Sequence, residues 1–152
     1  MKKINKFVED IKGIHLRNIG VGSIPNSLHY TVIMGKDDTK PCVNFVRSMT
    51  QSIHSEVHAI EEYYKIRRKR QFSTNFLVIR LNKLLELKNS KPCKNCLDKI
   101  RRSGIPVNKI FYSNNVGDIV WEYLKACVTF HISWGFKKLI KPKPFDVRLN
   151  II

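Results

Sequence analysis

The chain has 152 residues, 43% of them apolar, enough to bury one core without disulfides or other staples. No run approaches the ~18–20 apolar residues of a membrane span, and Glu9, Asp10 and Lys12 stand where a signal peptide needs its apolar stretch, so an intracellular protein, cytoplasmic or nuclear, is expected. A formal net charge of +16 favours a polyanionic partner, nucleic acid first.

In chain order, Ile4, Phe7, Val8 and Ile11 recur at helical spacing and predict an amphipathic first helix over residues 3–12. Gly20, Gly22, Pro25 and Asn26 mark a loop. His29 to Met34 reads as a strand, and a turn from Gly35 to Asp38 leads to a second strand over Pro41 to Val46. From His54 the period changes: Val57, Ile60, Tyr63 and Tyr64 predict a helix from His54 to Arg70, its basic end complementing the helix dipole. Phe76 to Leu81 is apolar enough for a buried central strand. A polar insertion, Asn82 to Lys91, precedes Pro92 and Cys93; Leu97 and Ile100 continue a short helix that stops at Gly104 and Pro106. Val107 to Ser113 is a fourth strand, Asn114 to Gly117 a turn, and Asp118 to Tyr123 its hairpin partner. The tail after Lys137, with two prolines and several lysines, is expected to run as an extended surface strap. No repeat, low-complexity tract or Gly/Ser linker divides the chain. Residues 1–152 therefore read as one α/β or α+β domain of about five strands, with a core near 29–122 and a basic tail near 137–152.

The charge is uneven. Between Tyr63 and Lys109 fourteen Lys/Arg face only Glu86 and Asp98. Arg67, Arg68, Lys69 and Arg70, together with Lys91 and Lys94, are the candidate phosphate contacts; a solvated basic face is the plain alternative. Of the aromatics Trp121, Tyr123, Phe130, Trp134 and Phe136, most are expected in the core, with base stacking as the alternative. Cys42 and Cys127 stand alone and are expected as structural thiols, and His58 as a core or surface histidine.

Two short motifs open the two central helices: His54-Ser55-Glu56 and Pro92-Cys93-Lys94-Asn95-Cys96. One imidazole and two thiolates supply three zinc ligands and leave a fourth tetrahedral position for water, as a catalytic site requires. Cys93 and Cys96 lie one helical turn apart, and a helix N-terminus stabilises their thiolates. Pro92 fits just before the first turn, where its missing N–H costs nothing. Glu56, two residues from His54, can reach the activated water without being a ligand, so it is expected to act as the proton shuttle of the site.

In this H-x-E…P-C-x-x-C pattern the chain resembles the cytidine deaminase-like superfamily, which includes free cytidine and deoxycytidylate deaminases, tRNA adenosine deaminases and polynucleotide-editing cytidine deaminases. The resemblance covers about His29 to Glu122. It implies a three-layer α/β fold with a five-stranded mixed sheet and the zinc-site helices on one face, a substrate-binding role for Asn44, and Zn2+ as cofactor. Three features depart from the family. Ser55 stands for the usual Ala or Val; Asn82 to Lys91 lengthens the join to Pro92, as a hairpin extension would; and the 114–117 turn implies the antiparallel last hairpin of the free-cytidine branch. That hairpin and the basic charge imply different substrates. The leading expectation is a zinc-dependent hydrolytic deaminase converting cytosine to uracil in a nucleotide or nucleic acid. The alternatives are an inactive zinc-stabilised nucleic-acid-binding or packaging protein and an adenosine-type RNA deaminase. A C-x-x-C redox protein would leave His54 and Glu56 unexplained. Oligomeric state is left open.

Overall fold

A computed structural model describes residues 1–19, 27–48, 51–66 and 73–129. In chain order these form α1 (Lys2–Ile19), β1 (Ser27–Met34), β2 (Cys42–Val43), β3 (Phe45–Ser48), β4 (Gln51–Ile53), α2 (Ser55–Ile66), β5 (Thr74–Asn82), β6 (Leu87–Lys88), α3 (Lys94–Arg102), β7 (Val107–Ser113), β8 (Ile119–Tyr123) and a 3-10 turn, Leu124–Ala126. The main sheet runs β2-β1-β5-β7-β8, with β6 paired to β5. It is mixed and open: β1/β5 and β7/β8 are antiparallel, β5/β7 parallel. Among the described residues no helix is long and apolar enough to cross a membrane.

Strand alternation builds two cores, because successive side chains leave a strand on opposite faces. Tyr30, Val32 and Met34 of β1 and Leu77, Ile79 and Leu81 of β5 meet Ile4, Val8 and Ile11 of α1 on one face. Ile33, Phe76 and Ile110 meet Ala59 and Tyr63 of α2 and Leu97 and Ile100 of α3 on the other. The two helices that begin with the His and Cys motifs therefore share one face.

The expected central strand, fourth strand and last hairpin are present, the last pairing Phe111 with Trp121. The insertion after Asn82 is a hairpin: Asn82 Oδ1 accepts the N–H groups of Leu84 and Glu86 at 3.0 and 2.9 Å, and β6 returns along β5. Helix α3 stops where Gly104 takes φ +79°, a left-handed conformation suited to glycine.

Two elements differ from expectation. Helix α1 continues seven residues past Lys12 despite Gly13, because His15 is buried and bonded to Tyr30 Oη (2.8 Å) and the Asn82 carbonyl (2.9 Å). The imidazole thus ties the last turns of α1 to β1 and β5, offsetting the ~1 kcal/mol cost of a helical glycine. The second strand is split rather than continuous over Pro41 to Val46. At Asn44 the side-chain Oδ1 accepts the His29 N–H at 2.9 Å while the Asn44 N–H bonds the His29 carbonyl. A side chain standing in for a backbone acceptor ends the ladder there, and the chain leaves for a separate β3–β4 hairpin that propensity did not indicate. Helix α2 is described to Ile66; the remainder of its expected span to Arg70, and the strap after Lys137, lie outside the described residues.

Candidate metal centre

His54 is the residue immediately before α2, and Cys93 occupies the N-cap position of α3 with φ −70° and ψ 165°. In that extended cap conformation the Cys93 side chain makes no capping hydrogen bond, while its carbonyl accepts the Leu97 N–H at 3.0 Å. Cys96 follows one turn later, fully buried. Packing of α2 beside α3 brings the three donors together. His54 Nδ1 lies 3.1 Å from Cys96 Sγ and 3.8 Å from Cys93 Sγ, and all three ligand atoms fall within 4.8 Å of one another.

The chemistry of this donor set fits a tetrahedral ion. Zn–S bonds of about 2.3 Å and Zn–N bonds of about 2.0–2.1 Å require N···S and S···S edges of roughly 3.6 and 3.8 Å. The His54–Cys93 separation of 3.8 Å is close to such an edge and the His54–Cys96 one of 3.1 Å is shorter, so small side-chain shifts would seat the ion. The distances are compatible with zinc without identifying it.

Electrostatics favours ionising one sulfur even before a metal arrives. A hydrogen bond from the Cys96 thiol, helped by His54, holds Cys93 down to about 4, and the same sharing, with burial, pushes Cys96 up. The His54 imidazole is raised chiefly by its bond to Cys93. Glu56, in the first turn of α2 and buried, stands outside the trio of donors. Burial pushes its carboxyl above the usual carboxylate range. Two hydroxyls lead to it: Thr31 Oγ1 lies 2.8 Å from Ser55 Oγ, which donates to Glu56 Oε2 at 3.3 Å. Ser55 is therefore a hydrogen-bond partner of the acid as well as a small residue that fits.

Sequence reading passed over the residues that hold the cysteine loop. Ser90 and Ser113 are buried where β5 and β7 diverge around β6. Ser90 Oγ donates to the Val78 carbonyl at 2.6 Å and accepts the Ser113 N–H at 2.8 Å; Ser113 Oγ donates to the Lys88 carbonyl at 2.6 Å. The pair joins the two strands three residues before Cys93. Two serines 23 apart carry no local pattern, so only long-range pairing reveals them. Ser90→Ala would strand the Val78 carbonyl and the Ser113 N–H. The expected loss is about 1–3 kcal/mol of unfolding free energy, with weaker zinc retention, read by denaturant titration and by competition with a chelator.

The remaining candidates are spread over the fold. Asn44 lies at the end of β2 with Oδ1 committed to His29, so Nδ2 is the atom it would offer a ligand. His58 is not a metal donor: its Nδ1 bonds the Val43 carbonyl at 2.8 Å and its ring meets Phe45 edge-on. Cys42 and Cys127 are buried free thiols, Cys42 pushed up to about 12 mainly by burial. Lys91 pairs with Glu122 at 3.0 Å, whereas Lys94 is exposed on the first turn of α3. Other bases of the 63–109 segment are also engaged: Lys65 with Glu62, and Arg101 with the Leu124 and Cys127 carbonyls. Arg67, Arg68, Lys69 and Arg70 lie outside the described residues.

What the trio and its acid can do is bind a soft or borderline cation and move a proton beside it. Compared with known families and curated proteins, the chain matches no family model and no curated sequence.

Proposed function

We propose that the chain is a zinc-dependent hydrolytic deaminase acting on a nucleobase, cytosine to uracil first, in a nucleotide or nucleic acid. One observation carries the reading: a buried carboxylate that is not among the donors stands at the start of the helix whose preceding residue, His54, converges with Cys93 and Cys96. A site that only stabilised the fold would have no use for that acid. The mixed sheet with α1 on one face and α2 and α3 on the other is compatible with the three-layer fold of the cytidine deaminase-like superfamily.

His54, Cys93 and Cys96 would hold the ion, which when bound supplies the Lewis acidity that makes water a nucleophile near neutral pH. Glu56 accepts a proton as water adds to C4 of the base and delivers it to N3. It then carries the proton of the new C4 hydroxyl to the amino group, so that ammonia leaves and a carbonyl remains. Ser55, donating to Oε2, orients the carboxyl for both transfers. Asn44 Nδ2 is the donor proposed for the substrate. Burial helps by keeping the acid's affinity for a proton high enough to return it.

The +16 charge favours a second reading, a zinc-stabilised nucleic-acid-binding or packaging protein without catalysis. Ammonia release from cytidine, deoxycytidylate, single-stranded DNA and tRNA, with zinc content measured on the same preparation, separates the two. Release from at least one substrate is expected. A fully zinc-loaded protein inert on the whole panel would favour the second.

A further inference from the structure

Strand β8 divides its side chains sharply. Tyr112, diagonally across from Glu122 on β7, donates a hydrogen bond to it on the face shared with α2 and α3, where Glu122 also pairs with Lys91. Trp121 and Tyr123, two residues apart, leave on the opposite face with Phe111 of β7. Helix α1 covers that face over β1 and β5, and Phe111 and Ile119 pack against the rim of its core. Beyond the rim Trp121 and Tyr123 remain 45% and 41% exposed; Phe130, Trp134 and Phe136, the other aromatics weighed between core and stacking, lie outside the described residues.

The exposed rings form an ordered row. Phe111 and Trp121 have centroids 6.4 Å apart, and Trp121 and Tyr123 meet edge to face at 5.1 Å. Lysines are arrayed over them: Lys109 Nζ stands 4.2 Å above the Trp121 ring and 5.8 Å from that of Tyr123, and Lys125 Nζ is 5.8 Å from Tyr123. The only acid on this strand, Glu122, points to the other face.

We infer that Trp121 and Tyr123, flanked by Lys109 and Lys125, form a stacking platform for single-stranded nucleic acid on the sheet face opposite the candidate metal centre. Charge complementarity selects the occupant. An apolar protein partner would have to bury two ammonium groups without counter-charges, whereas a single strand supplies a phosphate beside every base it stacks. The Trp121 and Tyr123 rings stand nearly perpendicular, 5.1 Å between centroids, so they present faces in two directions, which the unstacked bases of a single strand can meet and the paired bases of a duplex cannot. A lysine over an exposed ring is a weaker contact than a stacked base. The base takes the ring face and the flexible ammonium swings to the adjoining phosphate. The platform does not depend on the deaminase reading; it would hold a polymer whether or not the centre is catalytic.

The test is binding of a fluorescein-labelled single-stranded 20-mer of thymidylate to the full chain, followed by anisotropy over a salt series. Trp121→Ala/Tyr123→Ala should weaken binding roughly tenfold or more, as loss of base stacking does, leaving the salt slope nearly unchanged. Trp121→Phe/Tyr123→Phe should restore most of the affinity. Lys109→Ala/Lys125→Ala should instead flatten the log–log slope by about 0.7 for each phosphate no longer neutralised. In Trp134→Phe, where Trp121 is the remaining tryptophan, the oligonucleotide should quench the emission, a readout that needs no change to the platform itself. Overturning results are equally concrete: no binding by the wild-type chain, unchanged affinity in the Ala double variant, or unquenched Trp121 at saturation. A change of oligomeric state in that variant with oligonucleotide affinity intact would assign the face to a second copy of the chain.

Discussion

Glu56→Gln is expected to keep its zinc and its fold while turnover falls by at least about 10²–10⁴-fold, the usual range for a positioned general acid–base. Glutamine matches glutamate in shape, so the packing at the start of α2 and the Ser55 hydroxyl contact can survive the exchange. What disappears is proton traffic, because an amide neither accepts the proton of the attacking water nor returns it. Stability should not suffer. Glutamine brings nearly the same volume to this buried position without a charge to desolvate. Ammonia release, metal content and thermal unfolding on one preparation read all three quantities. Near wild-type turnover would remove Glu56 from the mechanism; zinc loss would make it a ligand instead.

Zinc content should drop from about one per chain to near zero in Cys93→Ala/Cys96→Ala, since one imidazole cannot hold the ion that three donors share. The same change should lower stability, because metal affinity is folding free energy wherever the site exists only in the folded chain. Cys96 is fully buried beside Leu97 and Ile100, so the variant also leaves a small void at the α2–α3 contact. Adding a strong chelator to the wild-type chain separates the two contributions: it should reproduce the metal part of the loss without the void. Elemental analysis showing undiminished zinc in the double variant would move the metal site elsewhere.

Much of the site was legible in the residues themselves, because its chemistry is local. His54 and Glu56 lie two apart, Cys93 and Cys96 one helical turn apart, and helical periodicity told where both helices begin. The alternation and turn residues of 107–123 likewise specify a hairpin without help from the rest of the chain. Tertiary structure decided everything that depends on partners far along the sequence. His15 extends α1 by bonding to Tyr30 and Asn82, and the backbone of His29 ends β2 through the Asn44 side chain. Ser90 and Ser113 join β5 to β7 and so hold the cysteine loop, although neither carries any pattern of its own. Exposure is likewise a global property: the sequence could not tell which of its late aromatics are core, and Trp121 and Tyr123 are exposed beyond the part of the sheet that α1 packs against. Periodicity records which face of an element a residue takes; which neighbour covers that face is settled only when distant segments compete to bury it.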